Sequence, residues 1–414
     1  MAALSTDTAV LAVFGVVYLG MFLGGLPALR MDRTGVAVLG AIAMIALTGM
    51  PLEEAARAVD LPTIVLLFAF MVVSAQMRLG GFYSAVTRAV GGREMPRPAL
   101  LAALLAVAAL LSAVFSNDVV CLAMTPVLVR ICLQRGLHPV PFLVGLACAA
   151  NIGSAATLIG NPQNMLIGSV LRLDFADHLR AAWPPVLASL VLLWLWLAHG
   201  PGSRRAGALR PAQPVAPGDD PPFDAWQSAK GLLVAGALLV VFLATDWPHA
   251  VAALVGAGVL LLSRRLHTAQ TMGLVDWPLL LLFIGLFIVN HALAQSGLAA
   301  EAVAALQARG VVLSEPGTLL VLGVLLSNAV SNVPAVMLLL PHLGDAGAAG
   351  GTLLALASTF AGNLLLVGSI ANLIVADLAA KAGVPFGWRE HAAIGVPVTL
   401  LGLGVLWGWV RLLG

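Results

Sequence analysis

Charge is what this chain has least of. Only 10% of its 414 residues are Asp, Glu, Lys or Arg, against roughly 25% in a soluble domain, so a water-facing globule is excluded. The 21 basic residues are nearly matched by 19 acidic ones and lie scattered among loops, which leaves no basic patch for nucleic acid. Cysteine is scarce too: Cys121, Cys132 and Cys148 sit in apolar stretches without metal-ligand spacing and read as small packing hydrophobes. No GxxxxGK[ST] loop and no HExxH occurs, so neither nucleotide-driven pumping nor zinc hydrolysis has its motif. No catalytic constellation is evident; the chain is expected to be no enzyme and to carry no cofactor.

What the chain has in abundance is apolar sequence. Hydrophobic residues make up 60% and the mean hydropathy is +1.01, and several apolar stretches reach about 18 residues, the length of a membrane helix. A transmembrane β-barrel alternates over segments of about 10. The expectation is an all-α polytopic protein of an inner or plasma membrane of bacterial type. The N-terminal MAALSTDTAV lacks the basic region of a cleavable signal, so the first apolar run reads as a retained membrane helix.

The organising stretch is CAANIGSAATLIGNPQNMLIGSVL, Cys148 to Leu171. It starts and ends as an apolar helix, yet its middle carries Asn151, Thr157, Gly160, Asn161, Pro162, Gln163 and Asn164. Unwound backbone is tolerated at membrane depth only beside protein or a water-filled cavity. Hence it reads as a broken helix at a transport site.

Ten crossings are expected, near 8–26, 34–50, 61–78, 141–171, 181–200, 227–245, 248–264, 277–295, 352–381 and 390–412. Two further apolar stretches, 98–135 and 313–345, are interrupted by Ser116-Asn117-Asp118 and by Ser327 to Asn332, and read as re-entrant hairpins. Alternating sides across the crossings leaves only Arg57, Arg172, Arg180, Arg309 and Arg411 on one face and the other 16 basic residues on the opposite one. The positive-inside rule makes the larger group cytoplasmic, with both termini outside. The Pro- and Gly-rich 201–226 then reads as a cytoplasmic linker between halves 1–200 and 227–414.

The halves repeat. Val59-Asp60-Leu61-Pro62 returns as Val275-Asp276-Trp277-Pro278, Ser116-Asn117 as Ser331-Asn332, and Thr157-Leu158-Ile159-Gly160 with Asn164 as Leu365-Leu366-Val367-Gly368 with Asn372. Five crossings per half is an odd number, so the second half lies upside down relative to the first, an inverted-topology repeat. One shared midplane site follows. Helix starts at its breaks and tips suit an anion, while exposed carbonyls and the oxygens of Ser, Thr and Asn suit Na⁺.

Other polar residues read more plainly. Asp118 is a carboxylate at depth, hence a cation ligand or proton carrier, with interfacial capping as the bland alternative. Asp377 with Lys381 suggests a surface ion pair. Asn290-His291 lies near a helix end, Asp60 and Asp276 are placed to cap helices, and Pro126, Pro334 and Pro341 are placed to kink or end hairpin arms. Most tryptophans sit near helix ends as interfacial anchors.

These residues resemble a known group. NIGSAATLIGNPQN at 151–164 is similar to the NIGG-TATLIGDPPN signature of the citrate and arsenite permeases of the ion transporter superfamily, and NLLLVGSIANLIVADLA at 363–379 to their NLTLIGSxANLIVAE pattern. The paired Ser-Asn tips resemble the Ser-Asn-Thr motifs of sodium-coupled divalent anion symporters. The resemblance implies a scaffold and a transport region, each repeat with a hairpin and a discontinuous helix. It also implies that Ser116, Asn117, Ser331 and Asn332 line the substrate and cation sites. Asn151, Gly153, Thr157, Gly160, Asn161 and Asn164 join them from the first half, and Asn363, Gly368, Ser369 and Asn372 from the second. Na⁺ would lie near Ser116, Asn117, Asn151, Ser331, Asn332 and Asn363.

The chain departs from those patterns in an informative direction. Both tips carry Ser-Asn where arsenite permeases and sodium/proton antiporters tend to have Asp-Asn, and Asn161 replaces the Asp of GDPPN. Fewer fixed negative charges favour an anionic substrate. The expected function is therefore a secondary transporter of a small inorganic or carboxylate anion, coupled to Na⁺ or H⁺ and working by alternating access. The alternative is an arsenite or antimonite permease, or a Na⁺/H⁺-type exchanger, with Asp118 titrating. The expected partners are a small anionic substrate and the lipid bilayer, with a homodimer admitted as the assembly.

Overall fold

The computed structural model describes residues 6–26, 29–200 and 221–413. It is almost wholly helical; a two-residue ribbon, Gly25–Leu26 with Met31–Asp32, turns the chain between the first two helices. Large apolar side chains such as Leu110, Leu233 and Val240 face outward from these helices, as expected of surfaces whose solvent is lipid. The linker expected over 201–226 lies mostly outside the described residues. Where the chain resumes, Asp224 N donates to Gly80 O at 3.0 Å and the Asp224 carboxylate caps Ala225–Ala244.

Helices occupy each of the ten expected crossings. Eight described helices have the length and composition to span a bilayer, but two of those eight are the arms of the first hairpin, Arg97–Val114 and Asn117–Gln134, of 18 residues each. At 1.5 Å per residue each arm is about 27 Å long, more than a half-depth hairpin needs. Only Phe115 and Ser116 separate them, and Pro126 sits inside the second arm without ending it. Each arm of the first hairpin is thus as long as the shortest of the eight candidate spans, 18 residues. The second hairpin is shorter and unequal, with Pro316–Val330 followed by Asn332–Leu339 and a 3₁₀ turn through Pro341.

Its interruption is also narrower than the sequence suggests. Helix runs on through Ser327, Asn328, Ala329 and Val330, and Ser331 alone stands outside, at φ 80°. A side chain makes that backbone region costly, and such strain persists only where the surroundings impose it. Ser116, its counterpart in the first hairpin, has an ordinary φ of −58°.

Both broken helices are present. Pro139–Ser154 resumes as Pro162–Val170, and Gly347–Ala361 resumes as Ile370–Lys381. The starts recur 208 residues on, from 139 to 347 and from 162 to 370. In each, a polar side chain restarts the helix: Asn161 Oδ1 accepts from Asn164 N at 2.9 Å, and Ser369 Oγ accepts from Ala371 N at 3.2 Å. Such N-caps answer amide groups that a helix start leaves without partners.

Contacts between segments knit helix ends together. Arg97 donates to Leu197 O and Trp194 to Pro98 O, Lys230 to Leu260 O and Leu262 O, and Ser169 to the Asp60 carboxylate. Trp409 donates to Ala181 O. Asp60 and Asp276 cap their helices on Thr63 N and Leu279 N, and Asp377 pairs with Lys381 at an exposed position. Asn290 accepts from the Tyr18 hydroxyl at 2.9 Å, while His291 meets Glu54 at 3.0 Å. These polar groups thus have structural partners remote from the breaks.

Candidate functional site

The two broken helices meet, and they meet through side-chain amides. Asn151, three residues before the end of Pro139–Ser154, is 2% exposed. Its Nδ2 donates to Asn363 Oδ1 at 2.9 Å and to Asn372 Oδ1 at 3.2 Å, while its Oδ1 accepts from Asn117 Nδ2 and from Ser369 Oγ, both at 3.0 Å. One asparagine therefore joins the first hairpin tip, its own broken helix and the second broken helix. Burial of a polar side chain is tolerated only when its hydrogen bonds are made; here every valence of the amide is used.

A second junction mirrors the first. Asn161 Nδ2 donates to Thr359 Oγ1 at 3.3 Å, and Gln163 Nε2 to the same oxygen at 3.1 Å. Adding 208 converts Asn151 to Thr359 and Asn161 to Ser369. The contact of Asn161 with Thr359 thus exchanges, at this spacing, with that of Ser369 with Asn151.

The breaks are held open in the same matched way. Asn164 Nδ2 donates to Thr157 O at 2.8 Å and Ser154 O at 3.4 Å; Asn372 Nδ2 donates to Leu365 O at 3.1 Å and Gly362 O at 2.8 Å. Each carbonyl pair has lost helical donors, and one asparagine per half supplies them. Thr157 Oγ1 donates to Ala113 O at 2.5 Å, and Asn117 N to Gly160 O at 3.2 Å, which seats the first hairpin tip against the first break. Gly160 has no room for a side chain, since a Cβ there would lie 2.3 Å from Ser154 O and 2.7 Å from Ser112 O. Gly153 packs as tightly against Ala109 of the hairpin arm. Gly368 is less confined, its nearest neighbour being Asn328 Oδ1 at 3.0 Å.

At the second tip, the Asn332 amide lies beside Gly362, 3.2 Å from where that residue's Cβ would be. Four helix starts therefore cluster: Asn117 and Asn332 at the tips, Pro162 and Ile370 after the breaks. Each contributes the positive end of a helix dipole. Among the described residues, no lysine or arginine side chain enters this network. Asn117 Oδ1 and Asn332 Oδ1, equivalent atoms of the two tips, are buried with no donor from the chain.

Of the residues singled out in the sequence, Asn117, Asn151, Asn161, Asn363, Ser369 and Asn372 share one hydrogen-bonded assembly, and Thr157, Gly160 and Asn164 shape the first break beside it. Ser116 and Ser331 cap no helix with their side chains. Asp118 is half-buried in the first turn after the tip, and the charged group acting on it is another carboxylate, Asp276. The residues missed by sequence reasoning are Ser154, whose hydroxyl accepts from Asn161 at 2.9 Å, and Thr359; Gln163, already marked as a polar residue of the first break, joins the assembly through Thr359. A signal for Thr359 was available, because it stands 208 residues after Asn151.

Comparison with known proteins follows from this geometry. Residues 9–361 match the CitMHS family, described as citrate transporter. An uncharacterised transporter of Mycobacterium bovis is 30% identical, the match covering 92% of this chain and 94% of the relative. The silicon efflux transporter LSI3 of Oryza sativa subsp. japonica is 29% identical over 94% of both chains. The inner membrane protein YbiR of Escherichia coli is 31% identical over 81% of this chain and 83% of its own length. Among solved structures, the YdaH transporter of Alcanivorax borkumensis superposes with a TM-score of 0.61 at 16% identity, covering 99% and 97% of the two chains. That likeness is one of fold. With polar breaks inside apolar helices, a match over most of its length and relatives that are named transporters, the chain is an integral membrane transporter and belongs to the CitMHS citrate transporter family of the ion transporter superfamily.

Proposed function

We propose that the protein is an ion-coupled secondary transporter of a small inorganic or carboxylate anion, built as an inverted repeat and working by alternating access. The observation that carries this reading is the meeting of four helix starts around buried amides, with no lysine or arginine side chain of the described residues among them. Dipoles and backbone N–H groups can hold an anion without a fixed positive charge that would trap it. The reciprocal contacts at a spacing of 208 support the inverted repeat, and in such repeats the site lies where the two halves meet. The linker and most basic residues are cytoplasmic on this reading, and both termini are outside. Asn117 Oδ1 and Asn332 Oδ1 support coupling to Na⁺, a hard cation that takes oxygen ligands.

The test is a thermal-shift screen of the purified protein against citrate, sulfate, phosphate and arsenite, each with and without Na⁺. A ligand at 100 times its Kd stabilises by about 2.7 kcal/mol. One anion raises Tm, more so with Na⁺, and Asn117→Ala and Asn332→Ala each remove the shift. If both variants insert correctly and transport at the normal rate, this site is wrong.

A second reading has a specific observation behind it. Neutral amides and hydroxyls suit an uncharged hydroxylated solute as well as an anion, and the relatives include a silicon efflux transporter and a putative arsB transporter of Dictyostelium discoideum. Arsenite or antimonite would then leave in exchange for protons carried by Asp118. Asp118→Asn abolishes the pH dependence of flux on this reading, and an unchanged pH profile favours the Na⁺-coupled one.

A further inference from the structure

Each broken helix has a carbonyl that the asparagine at its restart does not serve well. In the first half this is Ala155 O, the first carbonyl after Pro139–Ser154, which Asn164 Nδ2 reaches only at 3.5 Å. In the second half it is Asn363 O. The spacing of 208 makes these the same position. A buried carbonyl without a donor is expensive in a bilayer interior, and no backbone N–H among the described residues answers either one.

A histidine answers both. His178 Nε2 lies 3.3 Å from Ala155 O, and His391 Nε2 lies 3.0 Å from Asn363 O. The rings are 2% and 1% exposed. Each histidine sits near the start of the helix that follows its broken helix, Phe175–Ala198 for His178 and Trp388–Leu413 for His391, and these two helices pack on each other. A carbonyl only accepts, so Nε2 carries the proton in both rings. The free Nδ1 of His178 then accepts from Thr352 Oγ1 at 3.3 Å, on the second broken helix. His178 thereby ties one break to the other half.

Around His391 the chain is cut to fit. Gly395 stands one turn further along the same helix, and a Cβ there would lie 2.2 Å from Asn363 O and 2.9 Å from His391 Nε2. The glycine leaves the only room in which that bond can form. Asn363 also accepts from Asn151 through its side chain, so the carbonyl that His391 holds belongs to a residue of the amide assembly itself.

We propose that His178 and His391 are matched positioning residues, each donating its Nε2–H to the stripped carbonyl of one broken helix and so setting the geometry of the amide assembly from behind. This rests on the transport reading for its kinetic consequence, though not for the bonds. The role differs from a packing role because the donor is one N–H aimed at one oxygen: His→Leu keeps volume and loses the bond, whereas His→Gln keeps an amide N–H of similar reach.

The experiment has two parts. Nitrogen-15 spectra of histidine-labelled protein in lipid nanodiscs, assigned with His178→Gln and His391→Gln, are expected to show both rings neutral with the proton on Nε2; a neutral ring protonated on Nδ1 overturns the proposal. In proteoliposomes, uptake of citrate, sulfate or arsenite, whichever the wild type carries fastest, is then followed. His178→Leu and His391→Leu each raise KM about tenfold with kcat within about twofold, the scale of one buried group left without a partner. The Gln variants recover most of the loss. Gly395→Ala reproduces the effect of His391→Leu, adds nothing to it, and adds to that of His178→Leu. Unchanged KM in the Leu variants, or no recovery by Gln, overturns the positioning role. A wild type that carries none of the three probes counts against the transport reading, and the ring spectra then decide the two bonds alone.

Discussion

Asn151→Ala reduces transport at least a hundredfold while leaving the protein in the membrane. The side chain makes four hydrogen bonds to Asn117, Asn363, Asn372 and Ser369, and truncation leaves those groups facing a small void. An orphaned buried group costs about 1–3 kcal/mol, and about 2.8 kcal/mol is already a factor of a hundred, so two unanswered partners suffice. Asn372 keeps its bonds to Gly362 O and Leu365 O, so the second break stays formed and the loss falls on the junction between halves. Flux in proteoliposomes at matched protein content measures it. Asn290→Ala is the control, since its partner is Tyr18 in a different part of the molecule; near-wild-type flux in Asn151→Ala would show that the junction has no part in transport.

Gly153→Val gives the second large effect, this time on folding. A Cβ at 153 would sit 2.4 Å from both the Cα and the carbonyl oxygen of Ala109. Those are backbone atoms and cannot rotate away, so the arm Arg97–Val114 has to move off the helix Pro139–Ser154. Overpacking of a close-packed contact costs about 1–3 kcal/mol, and more when backbone must shift. Small residues matter especially between membrane helices, where tight packing replaces the hydrophobic drive. A lower Tm and a broadened elution profile in detergent are expected. Gly236→Val meets nothing within 4 Å and behaves like the wild type.

Hydropathy and a few polar words in apolar text were enough to locate the helices, because a bilayer demands long apolar runs and punishes any exception. The exceptions were informative for that reason: Gly160-Asn161-Pro162 and Gly368-Ser369 do interrupt their helices, and Asn117 does reach Asn151. Less was legible where the constraint is three-dimensional. Ser327 and Asn328 look like part of a tip, yet a helix runs through both; Asn328 Nδ2 turns toward Ala361 O of another segment. Thr359 shares no chemistry with Asn151 beyond an oxygen, so only its position marks it. His178 and His391 lie outside every motif, and their meaning is set by carbonyls more than 20 residues away. Arm length is legible as a span, whereas re-entrance is a matter of depth in the bilayer.

The contacts that complete the amide assembly come from far apart in the chain, with 212 residues between Asn151 and Asn363. At ribosomal speeds of about 5–20 residues per second, the second partner is made roughly 10–40 s after the first. During that interval the newly inserted first half holds an asparagine whose nitrogen has nothing to give its protons to except water. The nascent half must therefore stay hydrated at its centre, or shelter in the insertion machinery, until its twin arrives to dry it.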